Sequence, residues 1–585
     1  MTQAGDPPLL DPRRGDVEDD VSSPKQRSLL AIAGSLLAEI SLPKLIFAMT
    51  FSILLPALLL GSAPLVATAW LLKLSTTAAQ MAEIGAAFVL TSIVAAAGWF
   101  GLRPLLRIAE RNFWSLNALA IQPGYAFCRE GLCYLTECIL STDASDRMRA
   151  SLRAISSAAT AIVLCIVAVG IAVAVWPASR WVGTGADLLD VRSLILPTLA
   201  NAVVISCAYL AAAALIWGFA DALMDQPVNL GAFDTAFGGP AWRVAHLSDI
   251  HLVGERYGFR IESGRRGPRG NDRFARILER IEAVHRTNPL DIVLITGDMT
   301  DAGIATEWAQ FLDTVEKHPV LAERMLILPG NHDLNIVDRL NPARLDLPFS
   351  PMKRLRQMRT LSAIAAIQGD RVRVVDASAP TLDRTLAEAL APHREWIAEF
   401  ADTGSLRLAF GLSQLWEDQF PLILPPVEAN GLGVAILNSN AETHFSFTNA
   451  LGMVSVEQAR RLLAAVDRYP RAHWIFALHH HLVEYPMSVA KLSERIGTAL
   501  INGSWFIRKI APVAPRAIVM HGHRHIGWIG ACGKLKIVSA PSPVMGGTDE
   551  APTYFLIHTL TADPGGRICL LAPERVDIAG VSAAD

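Results

Sequence analysis

Four stretches, residues 45–72, 84–102, 154–176 and 194–219, contain no Asp, Glu, Lys or Arg. An α-helix rises about 1.5 Å per residue, so about 20 apolar residues cross a hydrocarbon core of about 30 Å. Four uncharged runs of this length in one chain are rare among the buried helices of soluble proteins. The first run also starts too late, and is too long, for a cleaved signal peptide. These runs lift the apolar share to 51% and leave only 18% charged residues. The expectation is a four-helix all-α transmembrane region over residues 41–222. A mobile N-terminal tail over 1–40, opening with Pro, Gly, Asp and Arg, precedes it; its 29–40 stretch suits an amphipathic helix on the membrane surface.

Lys and Arg near the spans set the orientation. The tail carries Arg13, Arg14, Lys25, Arg27 and Lys44, and the second connection carries Arg103, Arg107, Arg111, Arg129, Arg147, Arg149 and Arg153. The first connection has Lys73 alone, and the third has Arg180 and Arg192. The poorer loops are the translocated ones, so this is read as a multi-pass membrane protein with both termini and everything after residue 219 in the cytoplasm. The net charge of -3 excludes a nucleic-acid binder that relies on bulk positive charge, so no nucleic acid polymer is expected as partner. Seven cysteines show no C-x-x-C spacing, so neither a zinc ribbon nor a disulfide framework is expected.

After a linker over 223–240, with Gly231, Gly238, Gly239 and Pro240, the pattern changes. Short apolar runs at 243–247, 292–296, 325–328, 434–437, 474–478 and 517–520 read as buried strands. Helical spacing at 274–284, 307–316 and 456–466 separates several of them. Alternation of this kind predicts an α/β fold with a largely parallel sheet over 241–578. The closely spaced runs from 527 to 576 read as a second, more antiparallel sheet. A long insertion at about 334–431 contains FGLSQLWEDQFPLILPP, whose Trp416, Phe420 and Leu422 suit either a lid core or the membrane surface.

The ends of the predicted strands carry the chemistry. Ser248-Asp249-Ile250-His251 follows the first, Gly297-Asp298 the second, and Gly330-Asn331-His332-Asp333 the third. His479 follows the run at 474–478, and His521-Gly522-His523-Arg524-His525 the run at 517–520. In open α/β sheets, ligands gather outside the carboxyl ends of the strands, so these residues should converge in one cleft. Carboxylates, an amide oxygen and imidazoles suit Mn, Fe or Zn. They are more than one ion needs. Two ions sharing a carboxylate would use them all, and a two-metal clamp suits phosphoryl chemistry.

The motifs D-x-H, G-D-x-x-D, G-N-H-D, a strand-terminal H and G-H-x-H occur in this order from Asp249 to His525. In this the chain resembles the calcineurin-like metallophosphoesterases. Protein serine/threonine phosphatases of that superfamily have an arginine after the second aspartate and G-N-H-E; here stand Ala302 and Asp333, closer to the bacterial small-molecule branch. The resemblance implies a four-layer α/β/β/α sandwich. It also implies two divalent metal ions (Mn, Fe or Zn), one held by Asp249, His251, Asp298 and His525, the other by Asp298, Asn331, His479 and His523. His332 would be the acid or transition-state stabiliser at the leaving oxygen, with Asp301 orienting it. The implied activity is hydrolysis of a phosphodiester, pyrophosphate or phosphomonoester of a small molecule, a nucleotide or a phospholipid-linked one. The competing class is a membrane sensor or scaffold that binds a phosphorylated ligand without turnover.

Arg265 and Arg266, in an Arg-rich loop, suit phosphate recognition or anionic headgroups of the lipid bilayer, and His444 suits a position at the cleft. In the run His479-His480-His481, extended geometry turns His480 away and brings His481 back, so His481 is the rival of His479 as ligand. A cysteine placed at Ser75 should label from outside intact cells, and one at Ser263 only after permeabilisation. Equal labelling of both from outside would reverse the orientation.

Overall fold

The computed structural model describes residues 9–17, 46, 50, 54–80, 89, 92, 122–139, 145–253, 269–337, 344–346, 350–376, 381–443, 446–486, 500–545 and 552–578. It divides into a unit over Leu42–Met224 and a unit joining Met1–Ser41 to Asp225–Asp585.

The unit over Leu42–Met224, called the membrane unit below for its apolar helices, is helical. Leu55–Gln80, Asp146–Ser179 and Val191–Ala222 are helices, joined by the shorter helix Gln122–Ile139. Among the described residues, three helices are long and apolar enough to cross a membrane, not four; of the predicted span at 84–102 only residues 89 and 92 are described. The first helix runs on through Lys73, beyond the predicted end at residue 72. A single Lys near a helix end is compatible with a span, because its long side chain reaches the interface. The apolar side chains face outward, as at Leu59, Ile166 and Ile216. Helix contacts are made by small residues: a Cβ on Gly218 would strike the Cβ of Ala161, which is fully buried. In hydrocarbon, apolar burial drives nothing, so close backbone approach of this kind is what holds helices together. Arg129 bonds Asp221 (2.6 Å) and Glu130 (2.9 Å), tying the helix Gln122–Ile139 to the end of Val191–Ala222.

The other unit holds two sheets. In chain order the strands are β1 (Pro227–Asn229), β2 (Ala241–Leu247), β3 (Ile292–Ile295), β4 (Met325–Ile327), β5 (Arg373–Val374), β6 (Leu422–Leu424) and β7 (Leu432–Ile436). They continue with β8 (His473–Ala477), β9 (Ala517–His521), β10 (Trp528–Cys532), β11 (Leu535–Ser539), β12 (Thr553–Ala562), β13 (Ile568–Leu570) and β14 (Glu574–Ile578). The larger sheet runs β1-β10-β11-β9-β8-β7-β6-β5, and the smaller β13-β12-β2-β3-β4, with β14 also on β12. Strands β2, β3 and β4 are mutually parallel, as are β7, β8, β9 and β11. Their apolar runs are buried throughout, as parallel strands covered on both faces require.

The C-terminal strands do not form a sheet of their own. The hairpin β10–β11 extends the larger sheet and β12–β14 complete the smaller one, because β11 joins the parallel edge of β9 and β12 the free edge of β2. The insertion is built into the core: β5 and β6 widen the larger sheet, and Trp416, Phe420 and Leu422 are buried.

The described part of the predicted mobile tail is docked. Val17 N donates to Ala401 O (2.9 Å), Leu10 exchanges hydrogen bonds with the Ser362 hydroxyl, and the Asp16 carboxylate accepts from Nε and Nη2 of Arg359. Composition suggested mobility, but this segment carries its own anchors: Leu10 and Val17 are buried against the helices Pro351–Gln368 and Arg394–Thr403. Truncating the buried Phe311, which stacks on Phe274 at 5.6 Å, should destabilise this unit by about 3–5 kcal/mol. Phe311→Ala in a urea titration of the full chain checks the magnitude.

Candidate metal centre

Five loops leave the ends of β2, β3, β4, β8 and β9 and meet where the two sheets face each other. Backbone bonds stitch them: Asp249 N donates to Gly297 O (3.1 Å), His251 N to Asp298 O (2.9 Å) and Gly522 N to His479 O (3.0 Å). Among the described residues, the non-glycine residues with positive φ are Asp249, His251, Asp298, His523 and His525, at 48–75°. This region is sparsely populated and costs of order 1–3 kcal/mol per residue unless the surroundings enforce it. That strain falls on no other residue type or place here, so it belongs to the site and not to general packing.

Asp249, His251 and His525 bring ligand atoms within 4.8 Å of one another, and so do Asp298, His479 and His523. In the first group His525 Nε2 lies 3.4 Å from Asp249 Oδ1 and 3.2 Å from His251 Nε2. In the second, His479 Nε2 lies 3.2 Å from Asp298 Oδ2, 2.9 Å from Asn331 Oδ1 and 3.1 Å from His523 Nδ1. His251 Nε2, 3.7 Å from Asp298 Oδ2, links the groups through that carboxylate.

The tautomers can be read from the outer contacts. His479 Nδ1 donates to Thr296 O at 2.8 Å, so a neutral His479 presents a lone pair on Nε2. That lone pair meets a carboxylate oxygen, an amide oxygen and a second imidazole nitrogen. His251 Nδ1 faces Asp301 Oδ1 at 3.3 Å, which again turns a lone pair on Nε2 inward. A convergence of acceptors is repulsive unless a cation or a proton sits among them. The donor set fits two divalent cations: oxygen and imidazole nitrogen, no thiolate, and one shared carboxylate.

The electrostatics of the bare protein agree. Burial disfavours the charge on Asp298, but the surrounding histidines, His479 first, hold its carboxyl far below the usual range. Burial likewise opposes the imidazolium of His479, yet Asp298 and Asp249 raise it to about 9. For His251, burial and then His332 bring the pKa down to about 4.

His332 N donates to Asp298 Oδ1 (2.8 Å) and His332 Nδ1 to Asp301 O (2.7 Å). Asp301 therefore touches His332 through its main-chain carbonyl, while its carboxylate faces His251. Side-chain direction explains the difference from the sequence reading: three residues after Asp298, the turn aims the carboxylate at the neighbouring loop. Burial works against the charged form of His332, and Asp298 and Asp301 outweigh it, raising its pKa. His525, with about a third of its side chain exposed, marks the open side of the site; Asp249, His251 and His479 are fully buried.

The other members of the histidine run have different work. Ser439 Oγ pairs with His480 Nδ1 (2.9 Å) and accepts from the backbone N–H groups of His479 and His480. His481 Nε2 pairs with Glu484 (3.1 Å), which also binds Arg524 (2.7 Å). Neither joins a ligand group. Arg265, Arg266 and His444 lie outside the described residues.

Sequence reasoning missed the supports. Asp333 accepts from Gly330 N (2.9 Å), Thr300 N (2.9 Å) and Thr300 Oγ1 (2.6 Å), fastening the Asn331–His332 turn to the loop of Asp298. Burial, then Asp298, push its carboxyl up to about 6. Its signal was the G-N-H-D motif itself, where Asp333 served only to separate branches. Thr296 and Ser439 carried no sequence signal, since each is an ordinary hydroxyl beside an apolar run.

The family model for calcineurin-like phosphoesterases matches residues 243–526. A probable cyclic nucleotide phosphodiesterase of Coxiella burnetii is 28% identical over 110 residues, 19% of this chain and 38% of that relative. The chain thus spans well under half the length of the curated relative it matches. Among solved structures, a dimetal phosphatase from Danio rerio is similar at 11% identity and a TM-score of 0.33, over 58% of this chain and 98% of that one. A hypothetical protein from Pyrococcus horikoshii is similar at 9% identity and a TM-score of 0.25, over 58% and 88%. Residues 243–526 thus resemble the calcineurin-like phosphoesterases, a class of metal-dependent phosphoric ester hydrolases.

Alanine at each of the three histidines separates their roles: His479→Ala should lose bound manganese in equilibrium dialysis, whereas His480→Ala and His481→Ala should keep it. Gly330→Ala should behave like His479→Ala, because its Cβ would strike the carboxylate and backbone nitrogen of Asp298.

Proposed function

We propose that this protein is a membrane-anchored, binuclear metal-dependent phosphoesterase acting on a phosphodiester, pyrophosphate or phosphomonoester of a small molecule, a nucleotide or a phospholipid-linked one. The observation that carries the reading is the pair of ligand groups linked through Asp298, with His332 close enough to group with His251 and Asp298. Asp249, His251, Asp298 and His525 would hold one ion, and Asp298, Asn331, His479 and His523 the other. Two divalent ions so held supply Lewis acidity towards phosphoryl oxygens and acidify water. Manganese, iron and zinc all suit the donor set.

The protein's own groups supply the rest. His332 gives its Nδ1 proton to the carbonyl of Asp301, so Nε2 is the atom that can pass a proton to a leaving oxygen. Asp298 and Asp301 outweigh burial and raise its pKa, which favours the protonated form. Asp301 holds the tautomer of His251 and the ring of His332 at once, and so couples a metal ligand to the acid. The side of His525 is the approach for substrate. A nucleotide is favoured by the name of the Coxiella relative; Arg265, Arg266 and His444 remain proposed substrate contacts.

The two sheets and their helices support the four-layer sandwich, and the domain is proposed to span residues 241–578. The three apolar helices support membrane anchoring. The arm Leu9–Val17 belongs to the same unit as the phosphoesterase domain. The distribution of Lys and Arg around the apolar runs supports the cytoplasmic placement of both termini.

Full-length protein with manganese should hydrolyse bis(p-nitrophenyl) phosphate, and Asp298→Asn should lower kcat by at least about a hundredfold. Turnover indifferent to Asp298→Asn, or none in the wild type, would leave only the binding of a phosphorylated ligand.

A further inference from the structure

The N-terminal arm is joined to the metal centre by a continuous path. Asp16 and Arg359 form an ion pair with neither side chain exposed. Arg359 spends its remaining fork on the carbonyl of Gly303, with Nη1 to oxygen at 3.0 Å. Gly303 ends the turn Asp301-Ala302-Gly303, and Asp301 touches both His251 and His332. The same helix, Pro351–Gln368, backs this turn elsewhere: Arg356 Nε donates to Leu334 O (2.9 Å) and lies against Gly303.

A guanidinium buried this deeply needs a compensating carboxylate, and truncating one partner leaves the other charge in a medium that cannot solvate it. The pair joins distant parts of the chain: the carboxylate precedes the unit over Leu42–Met224, and the guanidinium follows it. Arg13 adds outer contacts to Asp313 (2.6 Å) and Glu316 (2.9 Å) on the helix Ala305–Glu316, which starts two residues after Gly303. The arm therefore grips the turn of Asp301 from both of the helices that flank it.

We propose that Asp16 is a positioning residue for the metal centre: through Arg359 and the Gly303 carbonyl it fixes the Asp301 turn, and with it His251 and His332. The phosphoesterase domain is then discontinuous in sequence, and its site is complete only when the arm is docked. This rests on the phosphoesterase reading above.

Full-length protein assayed with manganese and bis(p-nitrophenyl) phosphate tests it. Asp16→Asn should lower kcat about tenfold and leave KM within about twofold, because the displaced groups act on the proton and the metal and not on binding. A double variant, Asp16→Leu with Arg359→Met, removes both charges and should regain the melting temperature without regaining kcat. Wild-type kcat in a double variant of wild-type melting temperature overturns the proposal. Should these variants melt too low to assay, the chain lacking residues 1–17 replaces them, supplemented with a peptide of residues 9–17. Recovery of kcat with the native peptide, and not with the peptide carrying Asp16→Asn, supports the role; equal effects of the two peptides overturn it. An inactive wild type defeats the phosphoesterase reading itself, whereas an active wild type with indifferent Asp16 variants defeats only this one.

Discussion

A cluster of lone pairs with too few protons is the constraint around which this domain is arranged. Carboxylate, amide and imidazole acceptors from five loops point at one another across about 3–4 Å. Without a cation or a proton among them, these acceptors repel one another. The cluster persists because every member is braced from outside: Thr296 and Asp301 set the tautomers of His479 and His251, Ser542 holds the backbone of Asp249, and Asp333 locks the turn of Asn331. Positive φ angles at five of these residues show that the backbone, too, is bent to the needs of the cluster. The apolar strands beneath supply the stability against which that bending is sustained.

Much of this was legible in the sequence, for a simple reason. Ligand residues stand directly after buried strands, where a run of Val, Ile and Leu stops at Asp, Asn or His, and the end of a parallel strand has only one direction to face. Asp249, Asp298, Asn331 and His523 could be found this way. What the sequence hides is side-chain direction inside a turn. Asp301 was assigned to His332 by its position, but its carboxylate serves His251 and only its carbonyl serves His332. The arm was hidden for a different reason. Asp16 sits among Gly, Pro, Asp and Arg, a composition typical of solvated chain, and nothing local reveals a partner in a helix of the inserted segment. The edge strand β5 and its neighbour β6 were hidden too, each being only two or three residues long.

The membrane unit obeys different physics from the domain it carries. Its helices meet at Ala161 and Gly218, where small size, not apolarity, selects the contact. Arg129 and Glu130, midway along Gln122–Ile139, form one network with Asp221 near the end of Val191–Ala222. In the other unit the apolar strands are hidden, and Asp249 and Asp298 are buried at the site.

The pairing of Asp16 with Arg359 also fixes an order of assembly. The partners stand 343 positions apart, with the whole membrane unit between them in the chain. At a synthesis rate of about 5–20 residues per second, the arm waits roughly 17–70 s for its guanidinium to be made. Arg359 is made only after the whole of the intervening unit, so the first segment synthesised cannot find its place until the helices of the other unit are complete.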